Sequence, residues 1–136
     1  MITKVLAPLR KHKHVIIRSY VSNPPNSEEI LKEWCRDVIS RVGMRVLDGP
    51  HAVYSADVPG NEGFTATAVL DFSHLALHAW DVNGLIELDL FSCKEFDPAI
   101  LLEKLNEFGI ISYSTLILDR DDFDQQQIPY LMKEAA

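Results

Sequence analysis

Residues 64–80 constrain the fold more than any other part of the chain. This stretch is nearly free of charged residues and rich in Thr, Val, Leu and Phe, which is typical of buried β-strands. It is longer than most single strands, which have about 3–10 residues. We therefore divide it into two strands near Ser73. Strands that adjoin in sequence favour antiparallel pairing.

The flanking sequence predicts further strands and a first helix. Strands are expected at 15–21, 45–47, 52–58, 85–93 and 110–118, mostly bounded by Gly, Pro or Asn. The helix is expected to begin at Asn26, with Glu29 three residues on as its capping partner, and to end at Gly43. Helical spacing places six apolar residues on its buried stripe: Ile30, Leu31, Trp34, Val38, Ile39 and Val42.

A second helix is predicted from the pair Asp97-Pro98, which supplies an N-cap and a proline in the first turn. Leu101, Leu105 and Phe108 form its apolar stripe. Strands outnumber helices, so the 136 residues predict one α+β domain, a two-layer sandwich of an antiparallel sheet with two helices on one face. The other face also needs cover, and we expect a homodimer to provide it.

Charge and hydropathy exclude several classes of partner. The net charge of −7 and the pI near 5.1 disfavour a nucleic-acid-binding surface. No apolar run approaches the roughly 20 residues that span a bilayer, so we expect a cytoplasmic protein without a membrane partner. Cys35 and Cys93 form no C-x-x-C pair, and neither a disulfide scaffold nor a zinc ribbon is predicted.

Ser73, His74 and His78 interrupt the apolar stretch. From the pattern alone, a hydrogen-bonded serine and two satisfied core histidines are the ordinary interpretation. One metal ion shared by His74 and His78 is disfavoured, because on a strand they would lie roughly 13 Å apart. A hydrolase nucleophile is also disfavoured, since no G-x-S-x-G elbow surrounds Ser73.

The same segment resembles the bacterial and archaeal form of S-adenosylmethionine decarboxylase, with its E-S-H-x-x-x-H-T-[WY]-P-E motif and later D-x-[FY]-[ST]-C run. Here Ser73-His74 is followed by His78, and Cys93 comes fifteen residues after that histidine, as in the family. The resemblance extends from about residue 14 to residue 118.

The resemblance implies cleavage between Phe72 and Ser73, with Ser73 becoming a pyruvoyl cofactor. In that chemistry the serine hydroxyl attacks the preceding carbonyl, and elimination then releases the first fragment. His78 would abstract the proton in the elimination, and Thr65 would assist processing. The pyruvoyl ketone would form a Schiff base with a small-molecule substrate and act as an electron sink, and Cys93 would reprotonate the product.

Three further residues are candidates for substrate binding: Phe64, Trp80 and Asp81. The main hypothesis is decarboxylation of S-adenosylmethionine to the aminopropyl donor of spermidine synthesis. The sequence departs from the family pattern in three places: Phe72 replaces the motif glutamate, Asp81-Val82 replaces the P-E pair, and Arg18 occupies a usually acidic position. Two further hypotheses stay open: a pyruvoyl-dependent decarboxylase of ornithine or arginine, and a non-processing paralogue without activity.

Overall fold

The computed structural model describes residues 11–121, which contain six strands and two helices. In chain order they are β1 (Lys13–Val21), α1 (Glu28–Arg41), β2 (Val46–Ser55), β3 (Gly63–Leu70), β4 (Ser73–Trp80), β5 (Leu85–Ser92), α2 (Ala99–Leu105) and β6 (Ile110–Asp119). One turn of 3₁₀ helix, Asn106–Phe108, follows α2 directly. None of the helices in this part of the chain has the length and apolar character needed to cross a membrane.

The six strands form one sheet in the order β2-β3-β4-β5-β1-β6, and every neighbouring pair is antiparallel. The predicted division of residues 64–80 is confirmed, since β3 and β4 pair directly across a two-residue turn. β5 pairs with β1 instead of β6, so residues distant in sequence lie side by side at the middle of the sheet. The predicted α+β fold class is confirmed.

Alternation along the strands separates a covered face from an open face. In β3, Ala66, Ala68 and Leu70 are at most 2% exposed, whereas the intervening Val69 is 50% exposed. Both helices pack on the covered face and contribute to one apolar core. Within residues 11–121 nothing packs on the open face, where Val53 and Leu116 also project. The predicted dimer would cover this face and stays a prediction.

The first helix differs in detail from the prediction. Ser27, and not Asn26, is its N-cap, and the Ser27 hydroxyl oxygen accepts the Ile30 N–H at 3.1 Å. Ile30 is 52% exposed, so its place on the buried stripe was wrong, and Cys35 is buried instead. Gly43 adopts the expected left-handed conformation just beyond the helix, with φ of 78°.

Two predicted strands are a single element, β2, which continues through Gly49-Pro50. The break was expected because proline donates no hydrogen bond to a sheet. β2 is an edge strand, however, and its register with β3 shifts between Asp48 and His51, which accommodates the irregular residues as a bulge. The second helix is displaced by one residue: Pro98 is its N-cap, although the Asp97 carboxylate still accepts the Ala99 N–H at 3.0 Å.

Candidate active site

Ser73 and Cys93 come together at one end of the sheet. Ser73 is the first residue of β4, and its side chain lies on the covered face at 9% exposure. Cys93 directly follows β5, the neighbouring strand, and its backbone N–H donates to Ser73 Oγ at 3.1 Å. The predicted strand 85–93 included Cys93, but Cys93 lies just beyond the end of β5, where the chain turns toward Ser73.

The bond before Ser73 lies in an unusual turn. Phe72 has φ of 50°, in the left-handed region that bulky residues rarely adopt, and its side chain is 75% exposed. Such a conformation costs roughly 1–3 kcal/mol and persists only where the surroundings impose it. Asp71, the preceding residue, is tied to Arg45 twice: its carboxylate accepts from the guanidinium at 2.8 and 3.1 Å, and its backbone N–H donates to the Arg45 carbonyl oxygen at 3.3 Å. The carbonyl expected to be attacked is thus held in a strained turn.

A cavity of about 260 Å³ opens beside this turn. Ser73, Cys93 and Phe72 line it, together with Met44 and Lys94 from the segments that follow α1 and β5. The Cys93 thiol, which is partly exposed, donates to the Asp71 carbonyl oxygen at 3.6 Å. The cavity therefore brings a hydroxyl, a thiol and a strained peptide bond into one small space.

The two cysteines have very different surroundings. Cys35 is 1% exposed within the core, and burial raises the pKa of its thiol to about 12. A thiol with so high a pKa holds its proton at neutral pH and takes little part in acid–base chemistry. Cys93, in contrast, is partly exposed and lines the cavity beside Ser73.

Thr65 and His78 form a second group, on the open face. They are directly opposed in the pairing of β3 with β4, and Thr65 Oγ1 lies 3.0 Å from His78 Nδ1. The Trp80 ring lies beside that of His78, tilted by 40°, with ring centroids 6.2 Å apart. His78 is five positions from Ser73 on β4, roughly 16 Å along the strand and on the opposite face. One chain therefore does not bring His78 to Ser73.

Phe64 and Asp81 lie in a third place. Phe64 is 6% exposed and packs against Tyr54 with centroids 4.8 Å apart. The Tyr54 hydroxyl donates to Asp81 at 2.6 Å, and this bond raises the pKa of Tyr54 above its ordinary value. With Pro24 and Glu28, these residues line a cavity of about 560 Å³ near the start of α1. A smaller cavity of about 80 Å³ is lined by Phe64 together with His78 and Trp80. Phe64 therefore borders both cavities, whereas Asp81 lines the larger one and Trp80 the smaller.

A cluster that the sequence reasoning did not assemble lies on the open face. The Nε2 atoms of His14 and His74 each lie 3.2 Å from Asp89 Oδ1. Phe91 on β5 is the cross-strand partner of both histidines. His14 and His74 therefore lie on the two strands that flank β5. The cluster forms because β5 pairs with β1, and no local sequence pattern predicts that pairing. Arg18, the third departure from the family pattern, pairs across the same two strands with Glu87 at 3.3 Å.

Comparison with known proteins agrees with this architecture. The family model described as S-adenosylmethionine decarboxylase matches residues 13–121. An arginine decarboxylase proenzyme from Aeropyrum pernix is 29% identical over 119 residues, covering 82% of this chain and 90% of that protein. An S-adenosylmethionine decarboxylase proenzyme from Archaeoglobus fulgidus is 27% identical over 95 residues, covering 68% of this chain and 80% of that protein.

The fold also matches a solved structure. The crystal structure of the adenosylmethionine decarboxylase from Aquifex aeolicus superposes with a TM-score of 0.63 at 15% identity. The match covers 88% of this chain and 98% of that one. At this identity the likeness speaks for the fold alone.

Proposed function

The chain belongs to the S-adenosylmethionine decarboxylase family, and we propose that it is a self-cleaving, pyruvoyl-dependent decarboxylase of S-adenosylmethionine. The observation that carries the proposal is the placement of Ser73 after the left-handed Phe72, with its Oγ bonded to the Cys93 N–H. The names of its relatives support it, because both the Aeropyrum and the Archaeoglobus proteins are called decarboxylase proenzymes.

Cleavage would follow from the chemistry of Ser73. Its hydroxyl attacks the Phe72 carbonyl carbon, the peptide nitrogen leaves, and the two residues are then joined by an ester. Removal of the Ser73 Cα proton expels residues 1–72 as a carboxylate and leaves a dehydroalanine at position 73. Water hydrolyses this residue to a pyruvoyl group and releases ammonia. The strained Phe72 conformation favours the first step, since breaking the peptide bond relieves it.

The two fragments are expected to stay together. β3 would belong to the first fragment and β4 to the second, yet eight residue pairs join these strands. β1 likewise lies between β5 and β6 from the other fragment. The sheet and the shared core therefore hold the cleaved chain as one body, and only a denaturant should separate the fragments.

The surroundings of Ser73 fit a pyruvoyl group made from that residue. The cavity beside it is lined by apolar and cationic side chains, Met44 and Lys94 among them, and by Asp71, whose carboxylate is paired with Arg45. When present, the pyruvoyl group supplies an electron sink for the loss of carbon dioxide. Cys93 would hold the proton that the product carbon needs. A thiol can act as a general acid toward a carbon that must be reprotonated.

The position of His78 supports a homodimer with a shared site. Thr65 and His78 lie on the open face, about 16 Å along β4 from Ser73. Ser73 Oγ lies on the covered face. If the open faces of two chains pack together, the pair from one protomer can approach the backbone of its partner's Phe72–Ser73 turn, including the Ser73 Cα. The apolar side chains exposed there, Val53 and Val69 among them, would be buried by the same contact.

The shared site predicts complementation between two inactive variants. We expect a His78→Gln chain alone to cleave slowly or not at all, and a Ser73→Ala chain not to cleave. When both are co-expressed with different tags, the His78→Gln chain should be cleaved within mixed dimers, because its partner supplies His78. Intact mass of each tagged chain measures this. The control is His51→Gln, an exposed histidine on β2, which should cleave as the parent does.

Two outcomes would contradict the shared site. One is uncleaved His78→Gln chain in mixed dimers whose existence is shown by tandem affinity purification. The other is His78→Gln alone cleaving at the parent rate.

A basic amino acid is the second candidate substrate. Val82 stands in place of the family glutamate and cannot accept a hydrogen bond from a ribose hydroxyl. Asp81 does not replace it simply, because its carboxylate already accepts from Tyr54. The Aeropyrum relative is named an arginine decarboxylase proenzyme, and 90% of its length is covered. These observations make arginine the second candidate, ahead of ornithine.

Substrate assignment is tested by carbon dioxide release and by reductive trapping. The purified protein is given S-adenosylmethionine, arginine or ornithine, with and without cyanoborohydride, and the mass of the second fragment is measured. We expect kcat/KM for S-adenosylmethionine to exceed that for arginine by at least about 100-fold, or roughly 3 kcal/mol of transition-state binding. A larger kcat/KM for arginine would make arginine the substrate. If no amine is trapped on the second fragment, both substrate assignments are contradicted.

A further inference from the structure

We propose that His14, His74 and Asp89 form a binding site for a divalent first-row transition-metal ion on the open face of the sheet. Both imidazole Nε2 atoms point at the same carboxylate oxygen, each at 3.2 Å. The three ligand atoms all lie within 4.8 Å of one another. This site is separate from Ser73, Cys93 and the Thr65–His78 pair.

The distances suit zinc with little rearrangement. Zinc binds imidazole nitrogen at about 2.0–2.1 Å and carboxylate oxygen at about 2.0–2.2 Å, so tetrahedral ligands lie roughly 3.4 Å apart. The two His–Asp separations of 3.2 Å are close to this value. Two histidines and one carboxylate hold Zn²⁺ or Fe²⁺ in many proteins and leave a coordination position open for water.

The backbone already sets the spacing of the ligands. His74 lies on β4, Asp89 on β5 and His14 on β1, and these three strands are neighbours at the middle of the sheet. Paired strands have little freedom to move, so the site needs no loop to close over the ion. In a single chain, side-chain exposures of 18% for His14, 35% for Asp89 and 53% for His74 leave an entry for the ion before two open faces pack together.

Arg120 is the group that competes with a cation here. Its guanidinium nitrogen lies 3.2 Å from His14 Nδ1 and its Cζ lies 5.0 Å from the centre of the Phe91 ring. An imidazole that binds metal through Nε2 carries its proton on Nδ1, so Arg120 cannot then donate to it. The exposed Arg120 side chain must turn away when the ion binds. Removing its charge should therefore strengthen binding.

The competing explanation is a hydrogen-bonded trio in which Asp89 simply accepts from both histidines. Zinc titration of the untagged full chain, freed of metal with a chelator, distinguishes the two. Calorimetry should show one zinc ion bound per chain, and Co²⁺ should give the visible absorption of a four-coordinate site. His14→Gln and Asp89→Asn should each weaken zinc binding by at least about 100-fold, more than the 10–100-fold typical of losing an outer-shell partner.

The control is His51→Gln. His51 Nε2 lies 3.2 Å from Asp48 Oδ1, the same pair geometry without a second histidine, so its loss should not change zinc binding. Arg120→Gln should bind zinc more tightly than the parent. Circular dichroism checks that each variant is folded. If Asp89→Asn does not fold, the result for His14→Gln decides the test. The proposal is overturned if the parent binds no stoichiometric zinc, or if His14→Gln binds it as tightly as the parent.

Discussion

Ser73→Ala is expected to leave a single uncleaved chain of 15.4 kDa. The proposed cleavage needs an oxygen nucleophile attached to residue 73, and alanine has none. The neighbouring buried hydroxyl of Ser92 is not a substitute, because it donates to the Lys94 carbonyl oxygen at 2.6 Å. The effect should be complete, and intact mass of the purified protein measures it directly.

The matched control for this variant is Ser19→Ala. Ser19 is a buried strand serine on the same covered face, and its hydroxyl donates to the Ser112 carbonyl oxygen at 3.0 Å. Losing that hydrogen bond should cost about 1 kcal/mol of stability and leave cleavage unchanged. If Ser73→Ala were still cut at the same bond, the proposed pyruvoyl chemistry would be wrong.

Cys93→Ala should separate cleavage from decarboxylation. Ser73 is contacted by the backbone N–H of residue 93, which alanine retains, so the chain should still be cut. The thiol is lost, and with it the proposed proton donor to the product. General acid catalysis typically contributes about 10²–10⁴-fold, and kcat should fall by that factor. Carbon dioxide release from the fully cleaved variant is the measurement.

Cys35→Ala is the control for Cys93→Ala. The Cys35 thiol is buried in the core, and burial raises its pKa to about 12. The Cys35→Ala variant should be less stable than the parent but keep the parental kcat once folded. A Cys93→Ala enzyme with parental kcat would remove Cys93 from the mechanism. An uncut Cys93→Ala chain would instead show that the thiol acts in processing.

Local sequence pattern predicted most of the fold, because burial on one face leaves a period of two in the strands. The alternation along β5 is readable in the sequence for this reason, whereas the division near Ser73 was predicted from the length of the apolar stretch. The break predicted at Gly49-Pro50 was wrong, since only the edge position of β2 makes proline tolerable there. An edge position is a property of the assembled sheet, which no local pattern contains.

The candidate site was predictable only in part. Thr65 and His78 were both singled out, and the structure pairs them directly. The resemblance assigned His78 to the elimination at Ser73, and the distance between the two within one chain was not predicted, although positions five apart on a strand point to opposite faces. The cluster of His14 with Asp89 was not readable, because it depends on β1 lying beside β5 after about seventy residues of intervening chain.

Intact mass of the purified full chain under denaturing conditions tests the central claim most directly. We expect two fragments, residues 1–72 and 73–136, with the second lighter by one ammonia than a fragment that begins with serine. That deficit distinguishes a pyruvoyl end from hydrolysis by a protease. A single uncut chain of 15.4 kDa would contradict self-cleavage and favour a paralogue without activity.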